Sequence, residues 1–365
     1  MKALVYHGPG VRSWDDVPDP EIAAPTDIVM RVDAVTICGT DLHILKGDVP
    51  EVEPGTILGH EAVGTVVETG SAVTTLREGD RVLASCITSC GRCPSCRAGR
   101  YGLCTGGGGW ILGHLIDGVQ AEYARIPFAD TSAYTIPPEL TDEQVLFLAD
   151  ILPTSYEVGV LAGGVKPGDT VAVVGAGPIG LAGVMTANLY TPGRVIVLDP
   201  DQGRLERAIR CGASDVVAEA GEAARERVLA LTDGVGVDVA IEAVGMPETF
   251  ELCTDIVRAG GHVANVGVHG KPATLHLERL WIKDVTITTG LVDTVTTPRL
   301  MQLIAAGKLD TSVFATHRYS LDEATAAYDA FADAKGSGAF KVVLEGVKHQ
   351  QLLTTAEASV PVGGR

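Results

Sequence analysis

The chain has 365 residues, including 44 glycines, and carries 28 Lys and Arg against 46 Asp and Glu, for a formal net charge of −18. This length fits two domains, and the absence of any run of about 18 apolar residues argues against a membrane span. The acidic balance repels nucleic acid phosphates and anionic lipids, so we expect neither as a partner. The N-terminus, MKALVYHGPG, lacks the apolar segment of a signal peptide, which predicts a cytoplasmic protein without structural disulfides.

Short apolar segments interrupted by Gly and Pro fill the first half of the chain. The strand-like pieces are MKALVYHG, DIVMRVDAV, EAVGTVVETG and DRVLAS. They predict a β-rich domain with barrel-like curvature. We assign residues 1–152 to this domain and expect a boundary near Pro153.

Three segments of this domain carry side chains that can bind a metal or transfer a proton. VTICGTDLH supplies Cys38, Thr40, Asp41 and His43, ILGHEAVG supplies His60 and Glu61, and FLADILPTSYE supplies Asp150. A cysteine, a histidine and a carboxylate far apart in sequence can form a catalytic zinc site with three protein ligands and one open position. The alternatives are structural: Cys38 as a core residue, His60 as a hydrogen-bonded polar group and Asp150 as a helix cap. The residues alone leave both interpretations open.

Five of the eight cysteines lie between residues 86 and 104. Four of them have the spacing C-x2-C-x2-C-x7-C: Cys90, Cys93, Cys96 and Cys104. In a reducing compartment this spacing predicts one structural zinc held by four thiolates, in a lobe covering about residues 86–110. Ferredoxin motifs place the fourth cysteine after three residues and before proline, whereas here Thr105 follows it. Unliganded surface thiols are the other alternative. We expect Cys86, Cys211 and Cys253 to be small buried residues.

The segment TVAVVGAGPIGLAGVMTANLYTPGRVIVLD, residues 170–199, has the pattern of a strand, a Gly-rich turn, a helix and a second strand that ends in an acid. Its turn contains the predicted pyrophosphate-binding residues Gly175, Gly177, Pro178, Ile179 and Gly180. The acid, Asp199, is placed to bind the adenosine ribose, which predicts a dinucleotide site. Capping of a helix that begins near Asp201 is the alternative role of Asp199. Arg204 complicates a cofactor preference because it could reach a 2′-phosphate.

Further strand-like segments continue this alternation up to residue 290: DVVAE, VDVAIEAVG, HVANVG and VTITTG. This pattern predicts a doubly wound parallel sheet over residues 153–290. From Thr297 to Glu345 the sequence predicts two helices and a final strand, FKVVLE. We assign no role to the tail, residues 346–365.

The motifs CGTDLH, GHE, the four-cysteine spacing and GAGPIG, in this order, resemble those of the zinc-dependent medium-chain alcohol dehydrogenases. Within that family, GWILGHLIDGVQAEY and FLADILPT are most similar to bacterial tetrameric secondary-alcohol dehydrogenases. The resemblance implies an α/β fold, with a GroES-like β-rich catalytic domain joined to a Rossmann domain. It also implies that residues 291–345 return to the catalytic domain.

The resemblance further implies a role for individual residues. Cys38, His60 and Asp150 would bind a catalytic zinc, with Glu61 as an occasional or exchanging ligand, so that the chain holds two zinc ions. Asp41 would accept a hydrogen bond from the zinc-bound imidazole. Trp110 would line the substrate pocket, and packing as an aromatic residue of the core is its alternative role.

The implied reaction is reversible hydride transfer between NAD and a small alcohol, ketone or aldehyde, in a homotetramer or homodimer. Zinc serves as a Lewis acid on the alcohol oxygen. Thr40 would pass the released proton through a ribose hydroxyl towards His43. Some NADPH-using members of the subgroup have glycine at the position of Asp199, which favours NAD for this chain.

Two other classes of protein share some of these features. A metal-free medium-chain NAD(P)H reductase typically lacks the four-cysteine lobe and the ligands Cys38 and His60. A non-catalytic NAD sensor with a zinc-ribbon interaction module would show a basic or aromatic patch near residues 86–110, where only three arginines precede Thr105. Zinc content separates the dehydrogenase from the reductase.

Overall fold

The computed structural model describes residues 1–346, so the tail from residue 347 onward lies outside the described residues. The strands are β1 (Lys2–Tyr6), β2 (Arg12–Asp16), β3 (Ile28–Thr36), β4 (Ala62–Thr69), β5 (Arg81–Ala84), β6 (Tyr123–Ile126), β7 (Ala133–Thr135), β8 (Thr170–Val174), β9 (Arg194–Leu198), β10 (Asp215–Val217), β11 (Val237–Glu242), β12 (Val257–Asn265), β13 (Thr286–Thr289), β14 (Ala315–Ser320) and β15 (Lys341–Glu345).

The α-helices are α1 (Gly39–Lys46), α2 (Pro94–Arg97), α3 (Ala129–Ser132), α4 (Asp142–Leu146), α5 (Ile151–Thr154), α6 (Pro178–Ala187), α7 (Gln202–Arg210), α8 (Gly221–Leu231), α9 (Pro247–Ile256), α10 (Leu277–Leu280), α11 (Thr297–Ala305), α12 (Ala324–Ala332) and α13 (Ala334–Ser337). A π-helical segment, Ser155–Leu161, continues α5.

The first sheet combines strands from both ends of the described chain. Its order is β14-β15-β3-β4-β5-β7, with β6 also paired to β3. Strand β3 is buried except at Arg31, because neighbours cover both of its edges and the core covers its faces. Strand β15 pairs antiparallel with β3, with Val343 opposite Thr36. The C-terminal strand therefore lies beside the segment that leads into Cys38.

The second sheet is six-stranded and entirely parallel, in the order β10-β9-β8-β11-β12-β13. Its central strands are apolar runs buried on both faces, such as TVAVV in β8, which is the pattern expected when helices cover both sides of a parallel sheet. The order reverses at β8, so the crevice at the carboxyl ends of β8 and β11 is the topological switch point. The doubly wound sheet predicted from the sequence is confirmed.

One hydrophobic core connects the two sheets. It extends from Val63 and Leu83 of the first sheet through Phe147 and Leu152 to Leu181 on α6. The stretch Asp142–Leu161, which contains α4, α5 and the π-helical segment, is long and apolar enough to span a membrane, but its most apolar window is 72% buried inside the structure. Core helices pass the same test, so we interpret this stretch as a core element.

The structure adds strands that the sequence pattern does not indicate. Strands β2 (RSWDD) and β14 (ATHRYS) are rich in polar residues and lack an apolar alternation. They form because neighbouring strands β1 and β15 supply the hydrogen-bonding edges, a tertiary effect that overrides local propensity. Between Thr297 and Glu345 the sequence predicts two helices and a final strand, whereas the structure has three α-helices, α11, α12 and the short α13, and two strands, β14 and β15.

Candidate active site

Three separate segments converge at the ends of β3 and β4. Cys38 follows β3 at the start of α1, His60 and Glu61 directly precede β4, and Asp150 directly precedes α5. The amide of Thr36 donates to the carbonyl of Glu61 at 3.1 Å, which continues the β3–β4 pairing to this point. Cys38 and His60 are therefore neighbours because their strands pair.

The donor atoms of Cys38, His60, Glu61 and Asp150 all lie within 4.8 Å of one another. The Sγ of Cys38 lies 3.6 Å from Oδ2 of Asp150, and Nε2 of His60 lies 3.7 Å from the same oxygen. Nε2 of His60 is 4.0 Å from Oε1 of Glu61. One sulfur, one imidazole nitrogen and carboxylate oxygens thus face a common point.

This donor set fits zinc, which binds cysteine sulfur, histidine nitrogen and carboxylate oxygen at sites that keep one position open. Asp150 occupies the cap position of α5, but its side chain makes no capping hydrogen bond. Burial raises the pKa of the Cys38 thiol, and a bound cation offsets that cost by stabilising the thiolate. Burial would also raise the pKa of Asp150, yet its interaction with the nearby imidazole of His60 holds the pKa of this carboxyl well below its usual range.

Glu61 forms a buried ion pair that the sequence did not reveal. Nζ of Lys341 lies 2.9 and 2.8 Å from the two carboxylate oxygens of Glu61 and 3.1 Å from the carbonyl of Ile37. Both side chains are almost fully buried. Burial alone would lower the pKa of Lys341, but the charge of Glu61 raises it. Lys341 lies 280 residues after Glu61, and only the position of β15 beside β3 indicates the contact.

Asp41 lies beside His60, although not at hydrogen-bonding distance. Its Oδ1 is 3.7 Å from Nδ1 of His60, and neither atom has a hydrogen-bond partner among the described residues. Its Oδ2 accepts from the amide of Cys38 at 2.9 Å. The proposed hydrogen bond to the imidazole therefore requires a shift of several tenths of an ångström.

A cavity of about 310 Å³ opens at these residues and is lined from both sheets. Thr40, His43 and Trp110 line it from the catalytic side, and Val244 and Val268 line it from loops after β11 and β12. Oγ1 of Thr40 is 3.6 Å from Sγ of Cys38. The carboxyl edge of the parallel sheet thus faces the candidate metal ligands.

His43 and Trp110, two ring side chains that line the cavity, each contact a neighbouring residue. Nδ1 of His43 lies 2.8 Å from Oδ2 of Asp48, and the His43 side chain is 35% exposed, so it connects the cavity to solvent. Trp110 is half-buried, stacks on His114 at 4.1 Å between ring centroids and contacts His60 edge-on at 6.4 Å. Trp110 belongs both to the cavity wall and to the packing behind it.

The sulfur atoms of Cys90, Cys93, Cys96 and Cys104 lie within 4.8 Å of one another. Hydrogen bonds from the backbone amides of Cys96 and Thr105 lower the pKa of Cys93 to about 5. Burial raises the pKa of Cys96 to about 12. Four convergent sulfurs with amide donors around them match a closed thiolate zinc site.

The cysteines outside this set differ in burial. Cys86 and Cys253 are buried as expected, whereas Cys211 is only half-buried, because it lies just after α7 near the surface. Cys86 also lines the cavity, with its Sγ 3.7 Å from Oδ1 of Asp150. All eight cysteines are free thiols.

The three glycines of the GAGPIG turn differ in what an added side chain would meet. Gly175 has φ +101°, and a Cβ there would lie 2.5 Å from Cγ2 of Val244. A Cβ on Gly180 would overlap the carbonyl oxygen of Gly175, so this glycine lets α6 pack against β8. At Gly177 a Cβ would meet open space, which is where a pyrophosphate approaches in this motif. Pro178 and Ile179 begin α6.

Asp199 directly follows β9, and its side chain is buried, with only 7% exposed. Its oxygens accept from the amides of Ala176 and Asp201 at 2.8 and 2.9 Å. Asp201, and not Asp199, caps α7 by accepting from the amide of Arg204. The guanidinium of Arg204 lies 3.8 Å from Oδ2 of Asp199. Asp199 therefore holds the glycine turn against the end of β9.

Comparison with known proteins agrees with this geometry. The family model described as "Alcohol dehydrogenase GroES-like domain" matches residues 24–138, and that described as "Zinc-binding dehydrogenase" matches residues 178–306. The chain is 37% identical over 369 aligned positions to an alcohol dehydrogenase of Cupriavidus necator, covering 94% of this chain and 98% of that protein.

Solved structures are similar over nearly the whole chain. The apo form of zinc-dependent alcohol dehydrogenase 2 from Streptococcus pneumonia has a TM-score of 0.92 and 47% identity, covering 95% of this chain and 99% of that one. A protein from Sinorhizobium meliloti 1021, solved with bound NADP, has a TM-score of 0.83 and 33% identity, covering 94% and 98%. The chain therefore belongs to the zinc-dependent medium-chain alcohol dehydrogenases, the family predicted from its motifs. Its class is that of an NAD(P)-dependent zinc oxidoreductase, and the predicted GroES-like and Rossmann fold is confirmed.

The buried ion pair at the site generates a stability prediction. We expect Lys341→Met to lower the free energy of unfolding by about 3–5 kcal/mol, because it leaves the buried carboxylate of Glu61 without a cation. Urea denaturation measures this change. Lys335→Met, at an exposed lysine of α13, is the matched control and should change stability little. Equal stability of Lys341→Met and wild type would show that the pair contributes nothing to the fold.

Proposed function

We propose that this protein oxidises small alcohols reversibly with NAD, using one catalytic and one structural zinc per chain. The observation that carries the proposal is the convergence of Cys38, His60 and Asp150 on a cavity that also reaches the carboxyl edge of the parallel sheet. The proposed metal ligands and Ile179 of the GAGPIG turn thus line the same cavity. A closed four-cysteine set elsewhere provides no such opening.

Cys38, His60 and Asp150 would hold the catalytic zinc, and Glu61 would be a reserve ligand restrained by Lys341. When bound, zinc supplies a Lewis acid for the substrate oxygen and the nicotinamide supplies the hydride acceptor. The chain's own contribution is orientation and exclusion of water. Burial of Cys38, His60 and Glu61 lowers the local dielectric and so strengthens electrostatic interactions with the reacting oxygen.

Thr40 and His43 are proposed to remove the proton released from the alcohol hydroxyl. Thr40 lines the cavity beside Cys38 and can accept and pass on a proton through its hydroxyl. His43 lies one turn further along α1, with an exposed edge and a carboxylate partner, Asp48. This order leads from the buried cavity towards solvent.

The size and lining of the cavity favour a small, mainly apolar substrate such as a secondary alcohol, ketone, diol or aldehyde. Ile87, Trp110 and Leu291 supply apolar surface around the candidate ligands. A volume of about 310 Å³ lies at the small end of ligand pockets. We propose that Trp110 limits the substrate on its side of the cavity.

We also propose a cytoplasmic homotetramer or homodimer. Strand β13 forms one edge of the six-stranded sheet as far as the described residues extend. Near it, Trp281 and Ile282 are 76% and 72% exposed. Large apolar side chains beside an open strand edge favour burial against another chain, which supports self-association.

The two cysteine sets should separate by function. We expect Cys38→Ser to abolish turnover and leave the fold intact, because it removes a ligand of the open site only. Cys93→Ser should instead lower Tm, because the clip of the lobe is lost. Metal analysis, turnover and thermal denaturation measure these effects, with the half-buried Cys211→Ser as control. Turnover of Cys38→Ser above a few percent of wild type, with two zinc ions still bound, contradicts the assignment.

The proposed proton path predicts a hydroxyl requirement at position 40. Thr40→Ala should lower turnover without changing zinc content, whereas Thr40→Ser, which keeps the hydroxyl, should retain most activity. His43→Ala should cause a smaller loss that imidazole buffer partly restores. The pH dependence of turnover is the decisive measurement, and unchanged profiles for Thr40→Ala and His43→Ala would remove the relay from the mechanism.

The position of Asp199 predicts a preference for NAD over NADP. A carboxylate there accepts hydrogen bonds from ribose hydroxyls and repels a 2′-phosphate in a partly desolvated cleft. We expect NAD to win by at least about tenfold in kcat/KM, equivalent to about 1.4 kcal/mol. Asp199→Gly should reduce this ratio mainly by weakening NAD, whereas Glu206→Gln, an exposed acid on α7, should not. Arg204 lies beside Asp199 and could reach a 2′-phosphate. Comparable wild-type kcat/KM values for NAD and NADP would contradict discrimination by Asp199.

A further inference from the structure

A row of buried polar side chains leads from helix α12 to His60. Tyr328, Gln120 and Asp41 are fully buried, and His60 is 3% exposed. The hydroxyl of Tyr328 donates to Oε1 of Gln120 at 2.7 Å, and Nε2 of Gln120 donates to Oδ2 of Asp41 at 3.2 Å. Oδ1 of Asp41 then faces Nδ1 of His60 at 3.7 Å. We define these four residues as the α12–His60 chain.

The chemistry of the α12–His60 chain allows one direction of donation. A carboxylate only accepts, so Gln120 must present its amide NH₂ to Asp41 and its carbonyl oxygen to Tyr328. Burial raises the pKa of Tyr328 well above its usual range, so the phenol keeps the proton that it donates. Oδ2 of Asp41 receives both Gln120 and the amide of Cys38. Oδ1 is left for a proton on Nδ1 of His60.

Both ends of the α12–His60 chain are fixed by the surrounding structure. The side chain of Gln120 lies over Gly59, the residue before His60, where an added Cβ would be 2.5 Å from Cγ of Gln120. At the other end, the guanidinium of Arg12 lies 5.0 Å above the ring of Tyr328 and bonds Asp329 at 2.5 Å. The absence of a side chain at Gly59 thus leaves space for Gln120. Arg12, in the hairpin of β1 and β2, covers the ring of Tyr328.

We propose that Gln120 and Tyr328 are positioning residues for the catalytic metal: they orient the Asp41 carboxylate so that His60 is held with its proton on Nδ1 and its Nε2 lone pair towards Cys38 and Asp150. This inference rests on the proposed function, since it assumes that His60 binds zinc. It adds that helix α12 contributes to the zinc affinity of a site built by segments of the first half of the chain.

The test is zinc affinity at the catalytic site, measured on the full-length protein by competition with a chelator. The four-cysteine site serves as an internal reference, because the α12–His60 chain does not reach it. Gln120→Met, which keeps the volume but removes both polar groups, should weaken zinc binding at the catalytic site about tenfold. Tyr328→Phe should weaken it less, because Gln120 is retained. The double variant should be no weaker than Gln120→Met alone.

A second measurement separates positioning from general destabilisation. Nitrogen-15 NMR of the histidine-labelled, zinc-loaded protein should show the Nδ1-protonated tautomer of His60 in wild type and a mixture of tautomers in Gln120→Met. Tyr156→Phe removes another buried tyrosine hydroxyl, 3.1 Å from that of Tyr190, and should change neither readout. If Gln120→Met fails to fold, Tyr328→Phe still tests the proposal.

The outcomes distinguish this inference from the function on which it rests. A wild-type protein that holds zinc only in the four-cysteine set would contradict the proposed function. Wild-type protein with both sites filled, together with unchanged affinity and tautomer in Gln120→Met and Tyr328→Phe, would overturn only the positioning role.

Discussion

The antiparallel pairing of β3 with β4 is the constraint on which the site depends. It places Cys38, at the end of one strand, beside His60 and Glu61, at the start of the next. Strand β15 then extends the same sheet and brings Lys341 to the carboxylate of Glu61. The buried charge is tolerated because its partner arrives with the sheet itself, since an unpaired buried carboxylate would cost several kcal/mol. Site and fold are therefore stabilised by the same strand pairing.

The cavity depends on a second constraint, the continuous core between the two sheets. Phe147 and Leu152 lie in that core, and Asp150 lies between them at the start of α5. The apolar residues around Asp150 fix its position, while its carboxylate faces Cys38 and His60. The same core holds the parallel sheet so that its carboxyl edge faces the candidate metal ligands. The proposed binding of metal, substrate and dinucleotide in one space therefore depends on packing, and not on any single motif.

Burial around the candidate ligands has a chemical consequence. Asp41, His60 and Glu61 are almost fully buried and Cys38 is partly buried, and several of their polar atoms have strong electrostatic interactions with one another. In such surroundings the local dielectric constant is low, so each charge and each hydrogen bond contributes a larger interaction energy than at the surface. The α12–His60 chain is an example, because its hydrogen bonds from Tyr328 to Gln120 and from Gln120 to Asp41 allow only one direction of donation. Helix α12 can influence the imidazole of His60 without touching the cavity.

The local motifs could be predicted from the amino-acid sequence alone: the four-cysteine spacing, the glycines of the GAGPIG turn, the family resemblance and the alternation of the parallel sheet. These features arise from residues close in the chain, where spacing dictates geometry. Other features could be seen only in the folded chain: the pairing of Lys341 with Glu61, the 3.7 Å separation of Asp41 from His60, and the contacts of Gln120 and Tyr328. The same holds for polar strands such as β14, which form on an edge supplied by a distant strand. Contacts between residues far apart in sequence leave no periodic signal, because burial and partners are set only when the sheets assemble.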